Sequence, residues 1–375
     1  MNRFLLTRLA LCTVAFLLQG ATFLMASSHL IYLGTYTRST SKGIYAVRLD
    51  DDTGKLSEPV LAAEIANPSW IAFSPDRKFL YTLHGSKHQA TGFSVDAASG
   101  KLTALPSSPA PQAQGPSHLA VDATGRVVLT ANYNEGYVTA IPVRTDGTLG
   151  TATSIQHTGK SVNPTRQDKP HAHSVTPSPD NRFVIVCDLG LDKIFSYALD
   201  PATAKLAPGP VPFVASEPGA GPRHFKFGKD GRHGYAITEM GGTIEVFDYD
   251  AAQGALTRKQ AISTLPADFK DLKWNAEVRV HPNGRFVYGS NRTHDSIAVF
   301  AVAPETGKLT LVEITPSGGK TPRNFELSPN GKWLVCGHQD SDFVTVFRVD
   351  AATGKLTRTE HSAKVPMCVC VLFHD

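Results

Sequence analysis

The sequence predicts an all-β fold: a seven-bladed β-propeller closed by pairing of its N-terminal and C-terminal strands in one blade. Three observations predict it. One turn motif recurs seven times, a second recurs six times, and the C-terminus carries a strand that fits the one place where the second motif is missing.

The first motif is a Gly-Lys-Leu-like turn: Gly54-Lys55-Leu56, Gly100-Lys101-Leu102, Gly147-Thr148-Leu149, Ala204-Lys205-Leu206, Gly254-Ala255-Leu256, Gly307-Lys308-Leu309 and Gly354-Lys355-Leu356. Alternating runs such as GIYAVRLD, IAVFAVAP and VTVFRVDA precede it. Glycine supplies the positive φ that a tight hairpin requires. The second motif lies upstream of such runs: SPDRK, DATGR, SPDNR, GKDGR, HPNGR and SPNGK, beginning at residues 74, 122, 178, 228, 281 and 328. Ser-Pro and Asp/Asn-Gly chemistry marks hairpins. Each unit of about 50 residues, the period of the leucines, therefore reads as four antiparallel strands, the blade of a propeller. The inner strands open on NPSWIAF, GPSHLAV, GPRHFKF and TPRNFEL; VPMCVCVLF, residues 365–373, has the same shape. LIYLGTY near the N-terminus resembles the second strands FLYTLHG and FVYGSNR. The last strand thus completes the blade begun by the first, which removes an exposed edge and explains six turns against seven.

Residues 29–375 read as that single domain. Residues 1–26 read as a secretory signal: Arg3 and Arg8 precede an apolar run ending in small residues near Ala26–Ser28, too short and interrupted to span a bilayer as an anchor. A periplasmic or secreted protein, free of the membrane after cleavage, is expected. The five cysteines lack zinc spacing. Strand alternation would put Cys368 and Cys370 on one side, a poor geometry for a disulfide, so free buried thiols are expected. The net charge of +4 is mild, and no Lys/Arg run exceeds two residues. Nucleic acid is not an expected partner.

Polar residues concentrate at one end of the disc. The inner strands begin with Ser69-Trp70, Ser117-His118, His173-Ser174, Arg223-His224, Ala276-Glu277 and Arg323-Asn324. The second strands end on His84-Gly85, Asn132-Tyr133, Asp188-Leu189, Thr238-Glu239, Asn291-Arg292 and His338-Gln339. Inner and second strands run antiparallel, so both columns meet at one mouth. His171 and His173 are expected to face it, beside Arg223, His224, Glu239, Glu277, Arg292 and Arg323, with TGKSVNPTRQDKP as a rim loop. Asp188, Asn132 and His338 also suit hydrogen bonds to neighbouring blades. Arginine forks suit carboxylate or phosphate, and a His or Glu could deprotonate water.

The segments NPTRQDKPHAHSVTPSPDNRFVIVCDLG, GAGPRHFKFGKDGRHGYAITE, NAEVRVHPNGRFVYGSNRTHDSIAVFAV and GGKTPRNFELSPNGKWLV resemble the bacterial seven-bladed lactonase family, which includes propeller-type 6-phosphogluconolactonases and fungal carboxy-cis,cis-muconate cyclases. The resemblance runs from residue 29 to about 373. It implies hydrolysis or formation of a lactone ester with no metal and no organic cofactor. By local motif it implies catalytic roles for His171 or His173, Arg223, Glu239 and Arg292; His224, Glu277 and Arg323, from the strand-end columns at the same mouth, are expected to bind substrate. The ligand expected is a small lactone, anionic or polyhydroxylated. The resemblance departs at Met367-Cys368 and at the export signal; the latter points to gluconolactone or another lactone rather than a phosphorylated cytosolic one. A non-catalytic periplasmic binding or scaffold module and a muconate-type cycloisomerase are the alternatives.

Overall fold

The computed structural model describes residues 28–84, 89–106 and 115–374; the expected signal at residues 1–26, with Cys12, lies outside the described residues. Every regular element among them is a strand. The strands form seven four-stranded antiparallel sheets, and the inner strands of successive sheets pack side by side in a closed ring. Blade one combines the C-terminal inner strand Cys368–Phe373 with Ser28–Thr35, Gly43–Asp50 and Val60–Glu64. Blades two to seven follow in chain order, with inner strands Trp70–Phe73, Pro116–Val121, Ala172–Pro177, Pro222–Phe227, Asn275–Val280 and Pro322–Leu327. Ring closure is a regular ladder, Ile31 opposite Phe373 and Leu33 opposite Val371, extended by the His374 amide donating to Leu30 O at 2.8 Å.

The recurring turn glycine holds blade to blade. Gly254 and Gly354 have φ of 64° and 75°, and a Cβ at either would collide with the ring of Phe183 or Phe286, the first residue of the second strand in the preceding blade. The same motif accepts tyrosine hydroxyls across the seam: Tyr235 donates to Gly307 O at 3.1 Å and Tyr288 to Gly354 O at 2.9 Å. Between blades seven and one, Trp333 packs over Gly54 and donates Nε1–H to Asp51 O at 2.9 Å. The fourth copy carries Ala204 and still takes φ 51°. The second strands are almost wholly buried, packed in apolar clusters between adjacent blades, while the outermost strands, such as Lys205–Ala215, are largely exposed.

Strict alternation fails at the start of the inner strands. The ladder slips there, leaving Val369, Ser117, His173, Arg223 and Arg323 with no partner opposite them. These are β-bulges, which redirect a side chain and bend the strand. Two expectations change as a result. Cys368 and Cys370 face opposite sides rather than the same one, because the bulged Val369 stands between them; Cys368 packs toward blade seven and Cys370 toward blade two. Cys187, Cys336, Cys368 and Cys370 are all free and buried. His171 and His173 part company for the same reason.

Candidate active site

The bulged residues point into a cavity of about 570 Å³ at one mouth of the central channel; all five of them line it. A second column comes from the residue that follows each second strand: Tyr36, Tyr133, Glu239 and Arg292. The connections between blades add Arg166 and Trp274, and the loop after Ser28–Thr35 adds Arg38. The floor is Trp70 and His224. The Trp70 ring packs, tilted, against His118 at 4.1 Å and meets His224 edge-on at 5.0 Å, so aromatic rings plug the channel beneath the cavity.

Glu239 is the hub. Its Oε1 accepts a short hydrogen bond from Arg166 Nη2, and its Oε2 accepts from Arg223 Nε at 3.0 Å and Arg292 Nη2 at 2.7 Å. Burial acts to raise the Glu239 carboxyl, but the guanidinium groups of Arg292, Arg223 and Arg166 outweigh it and hold it far below the usual carboxylate range. Arg223 is buried, and burial together with Arg292 and Arg323 pulls it down to about 9. Its Nη1 donates to Ala276 O at 2.6 Å and to His224 Nε2 at 3.1 Å. A donor at Nε2 leaves His224 with its proton on Nδ1, which reaches Glu277 Oε2 at 3.1 Å. Glu277 also accepts from Asn324 Nδ2 at 2.5 Å and Arg279 Nη1 at 2.9 Å, and Arg279 Nε meets Glu326 Oε2 at 2.8 Å. A continuous polar chain, Glu239–Arg223–His224–Glu277–Arg279–Glu326, therefore runs through the disc from one mouth to the other.

His173 lines the cavity, and neither of its ring nitrogens has a hydrogen-bond partner among the described residues. Burial first, then Arg223 and His224, hold it well below an ordinary histidine, so its ring is neutral with a free lone pair. Arg292 Nε is likewise buried and without a partner.

Of the eight residues singled out from sequence, the structure brings five to the cavity wall: His173, Arg223, His224, Glu239 and Arg292, with Arg323 as a sixth on the rim. Glu277 lies one layer deeper, fully buried. His171 lies outside the lining; it stacks on Tyr133 at 4.3 Å and donates Nδ1–H to Tyr133 O at 2.7 Å. The bulge at His173 breaks the two-residue period that would have put both imidazoles on one face. Asp188 is structural, accepting His157 Nδ1 at 2.5 Å and the His171 amide at 2.8 Å.

Sequence reasoning passed over Arg38, Arg166, Tyr36 and Trp274. Arg166 had a signal, since it sits in the long rim loop, but nothing in the loop pattern distinguishes it from Lys160 or Lys169. The arginine side chains of the cavity number five against one glutamate. Arg38 and Arg323 face no carboxylate there: both lie over the Tyr36 ring, at 4.4 and 5.6 Å, and Arg323 Nη1 donates to Gln339 Oε1 at 3.3 Å. Such an excess of positive charge, partly desolvated, favours an anionic or multiply hydroxylated guest.

Comparison with known proteins gives a consistent result. Residues 30–373 match the family model described as lactonase, 7-bladed beta-propeller. The chain is similar to the 6-phosphogluconolactonase of Bacillus subtilis, 38% identical over 297 residues, covering 78% of this chain and 83% of that protein. It is similar to the solved structure of the periplasmic gluconolactonase of Pseudomonas aeruginosa, with a TM-score of 0.87 and 33% identity over 92% of this chain and 99% of the other. A solved structure of a protein from Lactobacillus plantarum has a TM-score of 0.86 at 32% identity, covering 92% and 99%.

Proposed function

The chain belongs to the seven-bladed β-propeller lactonase family and is a lactone hydrolase, and on that premise we propose that it opens an aldonolactone in the arginine-rich cavity by metal-independent acid–base chemistry, with His173 as the base. The carrying observation is the division of labour around Glu239. A carboxylate that accepts from three arginines and is held far below its usual range has little basicity, so Glu239 orders Arg166, Arg223 and Arg292 rather than activating water. The neutral, unpartnered His173 is left to take a proton from water attacking the lactone carbonyl, and to return it to the departing ring oxygen. Arg223 and Arg292 stabilise the oxyanion of the tetrahedral intermediate; they are held in place before the substrate arrives, so little reorganisation is needed as charge develops. An anionic substrate offsets the repulsion that Arg223 exerts on a protonated His173, so binding raises the basicity of the ring when it is needed.

The charge excess supports a phosphorylated lactone such as that of the Bacillus subtilis relative, with the phosphate at Arg38 and Arg323. A second reading, neutral gluconolactone outside the cytoplasm, is supported by the signal-like residues 1–26 and by the similarity to the periplasmic Pseudomonas aeruginosa enzyme. A pH-stat assay on glucono-δ-lactone and its 6-phosphate separates them. The first reading expects a higher kcat/KM for the phosphate ester, a rise in its KM of roughly tenfold or more in Arg323→Ala, corresponding to about 1.4 kcal/mol, and little change for the neutral lactone. Equal kcat/KM values, and an Arg323→Ala variant that treats both alike, would favour the second. Activity is expected to survive exhaustive chelation; its loss on chelation and return with a divalent ion would refute the metal-independent scheme.

A further inference from the structure

Beneath the aromatic plug, the channel opens on the opposite face of the disc into a second cavity of about 620 Å³, within the range of small-molecule sites. Its channel-facing charges are the third inward positions of neighbouring inner strands: Lys226 in blade five, Arg279 in blade six and Glu326 in blade seven. The carboxylates nearby are engaged with other groups. Glu277 is held by Arg279, His224 and Asn324, Glu326 by Arg279, and Asp230 by His233 at 2.5 Å. Lys226 is half-buried and lines the cavity, and its side-chain amine makes neither a hydrogen bond nor an ion pair among the described residues. The charged and titratable groups that act on it are Arg279 and Glu277 from blade six, Glu326 from blade seven, Cys370 from blade one, His118 from blade three, Cys187 from blade four and His224 on its own strand.

An amine in that setting is unlike the surface lysines. Burial first, and Arg279 second, bring Lys226 down to about 8. Near pH 7.5 a larger share of such amines is unprotonated than of an ordinary lysine. The cavity that presents it is large enough for a sugar-sized electrophile.

We propose that this lower cavity is a covalent modification site, in which the Lys226 amine is acylated by an aldonolactone. Lys226 Nζ attacks the lactone carbonyl, the carbon to ring-oxygen bond breaks, and the proton lost from nitrogen passes to the departing oxygen as a hydroxyl. The product is an amide bearing the opened polyhydroxy chain; no oxidant, cofactor or co-reactant is required. The choice of electrophile rests on the lactone-hydrolase reading, but the site lies across the channel plug from the hydrolytic cavity and does not use its residues.

The test is peptide mass spectrometry of the full chain after brief exposure to excess glucono-δ-lactone at pH 7.5 and pH 10, with acetic anhydride as a small acyl probe in parallel. Hydrolysis is followed on the same samples. At pH 7.5, Lys226 is expected to carry the lactone adduct at least tenfold more than the exposed Lys229 and Lys308, and the advantage should shrink by pH 10 as those lysines lose their protons. Lys226→Arg should lose the adduct and keep hydrolysis. Labelling of Lys226 at or below the level of Lys229 overturns the proposal. So does acetylation of Lys226 without a lactone adduct, because the cavity then does not admit the lactone. Adduct at Lys226 without turnover would count against the hydrolase reading alone, and turnover without adduct against this one alone.

Discussion

His171 and His173 are two residues apart, yet their side chains have different tasks. His173 is a bulged residue with no hydrogen bond at either ring nitrogen among the described residues, whereas His171 is spent on Tyr133, one of the cavity walls. His173→Ala is therefore expected to lower kcat by roughly 10²–10⁴-fold, the worth of a general base, while His171→Ala lowers it less than about tenfold. Steady-state rates on one lactone check this; comparable losses in the two variants would show that the base has been misassigned. Among the residues of the site, Arg223, Glu239 and Arg292 were legible in sequence because each sits in a repeat column that ends at the mouth. Arg38, Arg166 and Trp274 were not, because each lies in a connection where the repeat has no register to count from.

The loop from residue 158 to 171 is the element most specific to this site, since it delivers Arg166 to Glu239. It is pinned at its end by Gly190. A Cβ there would lie inside contact distance of Lys169 O and 2.8 Å from the His171 amide, at backbone atoms that cannot swing aside. Gly190→Ala should therefore displace the loop and not the blade beneath it, whose ladder ends at Asp188. A fall in kcat/KM of about tenfold is expected, with the far-ultraviolet dichroism of the wild type, and Arg166→Ala should mimic it. Full activity in Gly190→Ala would mean that the loop position does not matter for turnover. The bulges are the other decisive elements. They were invisible in sequence because an extra residue in a ladder leaves the hydrophobic pattern on either side intact and only shifts its phase.

At the scale of the whole molecule, the closed ring of blades buries imidazoles. Burial holds His118, His173 and His224 well below the ordinary histidine range, and brings His338 down to about 4. The unfolded chain protonates each near pH 6.5 while the folded one does not, so between those values the unfolded state binds more protons and stability falls as pH falls. From pH 7 to 5.5 this amounts to roughly 1 kcal/mol per histidine. Glu239 adds nothing in that window: its depressed carboxyl contributes stability above the unfolded carboxylate range, and loses it only in stronger acid. Denaturant unfolding at pH 7, 6 and 5.5 should show the decline, with a shallower slope in His118→Phe. A flat profile down to pH 5.5 would mean that these rings accept protons in the folded state.

The chain alone determined the number of blades, the strand-end polarity and the closure of the first blade by the last strand, because turn chemistry and strand alternation are local and repeat seven times. Only the tertiary structure decided which polar side chains meet. That outcome depends on single-residue bulges, on one loop crossing the mouth, and on a circle that brings Trp70, His118 and His224, from blades two, three and five, into ring contact in the channel.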